Sequence, residues 1–330
     1  MNSVQTIEVA EGEDGMRLDR WFRQHYPKLG HAHLQKLLRT GQIRVDGGRA
    51  KANARLETGQ KVRVPPVGDA AALAAVERPT PDLNQKDSLM LQQAVLHKDS
   101  DVIVLNKPYG LAVQGGTKTD RHLEAMFDAL IFDADDRPRL VHRLDRDTTG
   151  VLLLARSRAV ARDLGRVFRT RSARKIYWAL VAGVPKPAQG KIDVPLKKVR
   201  TAEGDRVVAA ELGDKEAQRA VTHYAVLGRV GDLASWVTLK PVTGRTHQLR
   251  AHMDLIGHPI VGDPKYGRRL EFQGGEIPNK LHLHARRLTL PHPRGGTLDV
   301  TAPLPEHMRR TWETLGLDET VEFDPMDAGD

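Results

Sequence analysis

The apolar run Val151-Leu152-Leu153-Leu154-Ala155 follows directly on Val141-His142-Arg143-Leu144-Asp145-Arg146-Asp147-Thr148-Thr149-Gly150. An unbroken apolar run bounded by a turn reads as a strand buried on both faces. The preceding residues then form a loop at the edge of a sheet, with the turn-forming Thr-Thr-Gly leading into the strand. Within that loop Asp145 lies between Arg143 and Arg146, and nearby cations favour the charged form of a carboxylate. An aspartate two residues from an arginine is, by itself, half of an ordinary ion pair. Three further clusters give it company. They are Thr243-Gly244-Arg245-Thr246-His247-Gln248-Leu249-Arg250, the basic strand Arg174-Lys175-Ile176-Tyr177, and the rigid turn Asn106-Lys107-Pro108-Tyr109-Gly110-Leu111.

The chain has 330 residues, 40% hydrophobic and 28% charged, which suits two soluble globular domains. No apolar run reaches the length of a membrane span, and the first fifteen residues lack the pattern of a signal peptide. There is no cysteine, so disulfides and thiolate chemistry are excluded, and a reducing cytoplasm is the expected compartment. No dimerisation signal stands out, and a monomer is expected. Residues 16–66 hold twelve Lys/Arg against three acids, a net +9 equal to that of the whole chain. Such concentration is the electrostatic footprint of a polyanion-binding module.

Leu18, Trp21, Phe22 and Tyr26 recur at helical spacing until Pro27, and Leu34, Leu37 and Leu38 do so until Gly41. Ile43-Arg44-Val45 and Lys61-Val62-Arg63-Val64 alternate as strands, with Asp46-Gly47-Gly48 as a hairpin turn. Residues 1–15 read as an extension, and 67–88, rich in Pro, Ala and Asp, as a linker. Beyond it the spacing predicts strands at 102–105, 151–155, 175–182, 220–230, 233–239 and 281–290. Helices are predicted at 122–132, 157–171 with Ser157 as N-cap, 246–256 and 305–315. Mixed order without βαβ alternation predicts an α+β fold over 89–316. Residues 317–330 carry six acids and no Lys or Arg, and read as a flexible tail.

These motifs resemble, in order and separation, those of the RluA-type family of RNA pseudouridine synthases. The loop around Asp145 carries the resemblance, joined by His258-Pro259-Ile260-Val261-Gly262-Asp263-Pro264-Lys265-Tyr266-Gly267 and Leu281-His282-Leu283-His284-Ala285. Thr149 stands where the family commonly has Ser, with the hydroxyl kept. Residues 16–66 resemble an S4-type RNA-binding domain through Arg17-Leu18-Asp19-Arg20, Gly41-Gln42-Ile43-Arg44-Val45-Asp46-Gly47 and Val62-Arg63-Val64-Pro65. The pairing is most like the branch that modifies large-subunit ribosomal RNA, the RluC type. The resemblance implies a mixed, mainly antiparallel sheet with flanking helices, beside a small α/β RNA-binding domain. It implies isomerisation of uridine, with Asp145 as nucleophile, Arg245 paired to it, and Tyr177 stacked on the base. Arg143 would enter the RNA as the nucleotide flips out. Arg17, Arg20, Lys36, Arg39, Arg44, Lys107, His247 and Arg250 are the expected RNA contacts, with ribosomal RNA or its assembly intermediate as partner.

Two other classes compete. A non-catalytic RNA-binding or ribosome-assembly factor would suit the basic module equally well, but has no use for Asp145 grouped with Arg245 and Tyr177; within the enzyme class, tRNA is the competing substrate. A zinc hydrolase would need ligands from His247, His252, His258, His282 and His284. His247 and His252 are five apart, poor for one helix face, and no HExxH partner appears, so no metal is expected. The glycines form neither a P-loop nor a dinucleotide fingerprint, and no cofactor is expected.

Overall fold

The computed structural model describes residues 4–26, 29–67, 85–115, 121–201, 204–211, 213–267, 277–320 and 324–326. The chain divides into two units, Met1–Thr80 and Pro81–Asp330. In the first, β1 (Gln5–Glu8) is followed by α1 (Leu18–His25), α2 (His31–Arg39), β2 (Arg44–Val45), β3 (Gly48–Arg49) and β4 (Lys61–Val64). Its sheet runs β1-β4-β2-β3. Leu18, Trp21 and Phe22 of α1 and Leu34, Leu37 and Leu38 of α2 share one core with Ile43, Val62 and Val64. Asp46 and Gly47 take φ of 49° and 77°, the left-handed pair that a tight hairpin requires. Residues 4–15, within the span expected as an extension, join this unit. β1 pairs antiparallel with β4, Val9 is in the core, and buried Glu13 accepts the Trp21 indole N–H at 2.8 Å.

The second unit begins with α3 (Gln85–Gln93), a helix that starts within the span 67–88 expected as linker and runs past its end; residues 68–84 of that span lie outside the described ones. Then come β5 (Val95–Lys98), β6 (Val102–Lys107), a 3₁₀ helix at Leu123–Leu130, β7 (Arg139–Leu140), β8 (Thr149–Ala155) and α4 (Arg158–Arg169). They are followed by β9 (Arg174–Ala182), β10 (Gln189–Asp193), the hairpin β11 (Leu196–Thr201) and β12 (Gly204–Ala209), β13 (Val221–Val230) and β14 (Ala234–Pro241). α5 (Gln248–Leu255), β15 (Leu283–Pro291), β16 (Thr297–Thr301) and α6 (Glu306–Leu315) complete it. The main sheet runs β10-β13-β14-β9-β15-β8-β6-β5, with β7 beside β8 and β16 beside β15. Every pairing is antiparallel except β8 with β15. This is the mixed, mainly antiparallel α+β architecture expected.

Strand β8 explains its own composition, because all seven of its residues are buried. Leu152 and Leu154 point into a core with Leu123, Phe127 and Leu130, while Val151, Leu153 and Ala155 point to the other side, against Val160 and Leu164 of α4. Ser157 caps α4 by accepting the Val160 N–H at 3.2 Å. Gly150 is required where β8 meets β15: its φ is +103°, and a Cβ would lie 2.2 Å from the Ala285 carbonyl oxygen.

The acidic end departs from the mobile tail expected of it. Asp324 is buried and accepts hydrogen bonds from the Trp178 indole at 3.1 Å and the Thr238 hydroxyl at 2.8 Å. Trp178 and Thr238 are register partners on β9 and β14, so the carboxylate satisfies two polar groups that the sheet buries. Residues 321–323 and 327–330 of the tail lie outside the described ones.

Because Leu153 is fully buried between sheet and α4, Leu153→Ala should destabilise the second unit by about 2–5 kcal/mol. Urea unfolding at neutral pH measures it, and a loss below ~1 kcal/mol would contradict this packing.

Candidate active site

A cleft of about 450 Å³ opens where the loop before β8, the start of β9, the C-terminal end of α4 and the turn between β14 and α5 converge. Asp145 is the one carboxylate among its lining residues, against the cations Arg143, Arg169, Arg171, Lys175, Arg245 and Arg250. The Asp145 side chain is 21% exposed, reachable from solvent yet walled on most sides.

Arg250 holds that carboxylate. Its Nη1 donates to Asp145 Oδ2 at 3.3 Å, while Nε and Nη2 donate to the two oxygens of Asp263 at 2.7 and 2.8 Å. The Asp263 side chain is fully buried and also accepts the backbone N–H groups of Lys265 (2.9 Å) and Tyr266 (3.1 Å). A planar guanidinium gripped at two nitrogens by one carboxylate presents its third nitrogen in a fixed direction. Asp263 sits after Gly262, whose φ is +69° and whose Cβ would meet the Lys280 carbonyl at 1.9 Å.

Arg245 was expected to make this pairing. It lines the same cleft, but it is exposed and its Nε donates to the Arg219 carbonyl at 3.1 Å. Five residues on, α5 turns Arg250 inward. The turn itself is stitched by buried Gln248, whose Oε1 accepts from the Thr243 hydroxyl (2.7 Å) and the Arg245 N–H (3.1 Å). His247, expected at the RNA, adopts a left-handed φ of 51° that turns the chain into α5. Its Nε2 comes 3.9 Å from Asp145, and burial lowers its pKa while Asp145 opposes that shift.

The loop is pinned from beneath. His142 Nε2 accepts the Leu153 N–H at 2.9 Å, and its ring stacks on Phe168 at 4.7 Å. His284 Nε2 donates to the Ala302 carbonyl (3.2 Å), so its Nδ1 accepts the Thr149 hydroxyl (2.8 Å). Lys107, another expected RNA contact, is fully buried and is corrected to a loop anchor. Its ammonium donates to the carbonyls of Pro108, Leu111 and Arg146, each at 2.8 Å. Burial brings its pKa down to about 7 against the pull of Asp147 and Asp145.

Tyr177 rises from β9 into the cleft, half-buried. Burial, then the nearby Asp145 charge, pushes its phenol well above the ordinary tyrosine range, so it stays protonated. Arg143 is exposed at the mouth. In the other unit Arg17, Arg20, Lys36, Arg39 and Arg44 are all exposed, with Arg17 paired to Asp19 at 2.5 Å. Arg250, by contrast, is too deeply engaged with two carboxylates to be a surface RNA contact.

The histidines weighed as metal ligands are engaged otherwise. His252 bonds Thr222 and the Val194 carbonyl, His258 the Ala182 carbonyl, and His282 the Lys280 carbonyl and Thr311. Asp99, Asp101 and His292 do lie together, a grouping absent from the sequence expectations, with Asp101 paired to Arg294 and Asp99 bonded to His97 and His292.

Two outcomes follow from these contacts. Burial depresses the pKa of His142 and His284 to about 3 and of His282 to about 4, from 6.5. The unfolded chain therefore takes up protons first as pH falls. Stability should be full above about pH 6.5 and decline steadily below it towards the folded values, read as the urea midpoint against pH. A midpoint that holds or rises between about pH 6.5 and 5 would contradict this. Asp263→Ala strands a buried guanidinium, and should cost about 3–5 kcal/mol in thermal unfolding.

Comparison with known proteins matches residues 101–255 to the family described as RNA pseudouridylate synthase. The chain is 35% identical over 319 residues to "Ribosomal large subunit pseudouridine synthase C" of Escherichia coli (strain K12), covering 95% of this chain and 97% of that protein. The protein of the same name from Haemophilus influenzae is 34% identical over 318 residues, covering 95% and 96%. Among solved structures, "Human RNA Pseudouridylate Synthase Domain Containing 4" superposes with a TM-score of 0.59 at 34% identity, covering 70% of this chain and 96% of that one. All the residues lining the cleft around Asp145 except Leu283 lie in the matched segment, and with 35% identity over nearly the full length of such an enzyme the chain belongs to the RNA pseudouridine synthase family.

Proposed function

We propose that this enzyme converts uridine to pseudouridine in large-subunit ribosomal RNA, with Asp145 as the nucleophile. The observation that carries the reading is a lone carboxylate, set by Arg250 at the base of a cationic cleft beside a protonated phenol. The substrate follows the names of the relatives from Escherichia coli and Haemophilus influenzae, which align over nearly the whole chain.

Uridine and pseudouridine are isomers, so electrons balance within the nucleotide. The N1–C1′ bond breaks, the uracil turns, C5 bonds C1′, and the proton on C5 leaves as N1 gains one. Asp145 acts on the uridine to open that bond, and the cleft keeps the freed base from leaving before it is rejoined. Tyr177 offers its ring to the base and its hydroxyl to the proton relay at C5. Arg143, at the mouth, fills the space of the nucleotide drawn into the cleft. Arg17, Arg20, Lys36, Arg39 and Arg44 of the small unit, read as an S4-type domain, hold phosphates and supply salt-dependent affinity. Among the described residues no helix is long and apolar enough to cross a membrane.

Asp145→Asn keeps the shape of the side chain and should abolish release of tritium from C5-labelled uridine in ribosomal RNA, with RNA affinity within about two-fold of the parent. Retained turnover would remove Asp145 from its role. Pseudouridine mapping in cells lacking the gene tests the substrate: loss confined to tRNA would overturn the ribosomal assignment and leave the activity standing.

A further inference from the structure

The even charge balance outside residues 16–66 conceals a second concentration. Residues 158–175 hold seven Lys/Arg and a single acid, Asp163. Helix α4 sorts them. Val160 and Leu164 are buried against β8, while Arg158, Arg162, Arg166 and Arg169 are exposed. Steps of four, four and three residues put these four guanidinium groups on one face, in a row of roughly 16 Å along the helix. Buried apolar positions on the opposite side fix which way the row faces.

The row is continuous with the catalytic cleft. Arg169 at the end of α4 lines it, as do Arg171 in the following turn and Lys175 in β9, two residues before Tyr177. Phe168, from the same last turn, stacks on His142, which anchors the loop carrying Asp145. Asp163 pairs with Arg166 at 3.2 Å, with both side chains more than half exposed, so solvent screens that pair and a phosphate competes with it readily.

We propose that α4 is the docking track for the single-stranded RNA flanking the target uridine, its arginine row holding successive phosphates and delivering the strand to Asp145. The inference rests on the RNA reading above and adds the surface and the chemistry: a polyanionic strand bound through its backbone, with no base readout by α4. Arginine suits this use, since its planar fork grips phosphate oxygens in pairs.

The test is a triple variant of the full-length protein, Arg158→Ala/Arg162→Ala/Arg166→Ala. It is compared with a control that removes three exposed cations elsewhere on the same unit, Lys186→Ala/Lys215→Ala/Arg229→Ala. The probe is a fluorescein-labelled, uridine-containing single-stranded RNA oligonucleotide, read by anisotropy across a salt series. Turnover of C5-tritiated RNA is measured in parallel, and circular dichroism checks that both variants fold. The α4 variant should bind about ten-fold more weakly, with the slope of log affinity against log salt shallower by about two. KM should rise while kcat at saturating RNA is kept. Unchanged affinity and slope, or losses no greater than those of the control, overturn the proposal. Anisotropy needs no turnover, so a parent protein inactive on every RNA would overturn the enzymatic reading while the binding result still judges the track.

Discussion

The grip of Asp263 on Arg250 is the contact on which the cleft depends. Burying a guanidinium is costly, and it is tolerated here because each of its three nitrogens donates to a carboxylate. Nε and Nη2 donate to a fully buried carboxylate that is itself held by backbone N–H groups, and Nη1 is left over. The leftover donor is aimed at Asp145. The placement of Asp145 is thus borrowed from a neighbour that is itself fully buried. The same logic recurs beneath the loop, where His142, His284 and Lys107 each spend a buried polar group on a loop or strand atom.

What the sequence made legible was local. Asp145 and β8 could be read because loop and strand are contiguous, and burial on both faces leaves an unbroken apolar run. Ser157 as a cap and Asp46-Gly47 as a turn were legible for the same reason. Choosing between Arg245 and Arg250 was not, because it hinges on the left-handed residue His247, which decides which arginine the helix turns inward. Gly262-Asp263 in the Gly-Asp-Pro turn was the available signal for the missing partner, since a glycine at close backbone approach marks a constrained position. Lys107 was misread for a related reason. Its burial depends on three carbonyls, one of them thirty-nine residues away, that no linear pattern places around it.

Composition counted by segment misled in both directions. The last acids looked like a solvated tail, but Asp324 answers two donors buried by β9 and β14. Residues 1–15 looked detachable, yet Gln5–Glu8 supplies a strand, because short edge strands carry little apolar signal of their own. Charge summed over a long span loses the geometry that a single helix face restores, as α4 illustrates.

Asp145 and its guanidinium partner are 105 residues apart, and the chain between them builds β9 and β14 across the middle of the sheet. The arginine row of α4, in contrast, belongs to a single helix. On the roles proposed above for Asp145 and α4, a partly folded chain would still adhere to nucleic acid while being chemically silent, its carboxylate not yet having met the group that aims it. Adhesion and turnover would then be lost at different stages of disorder, making isomerisation a reporter of a completed sheet.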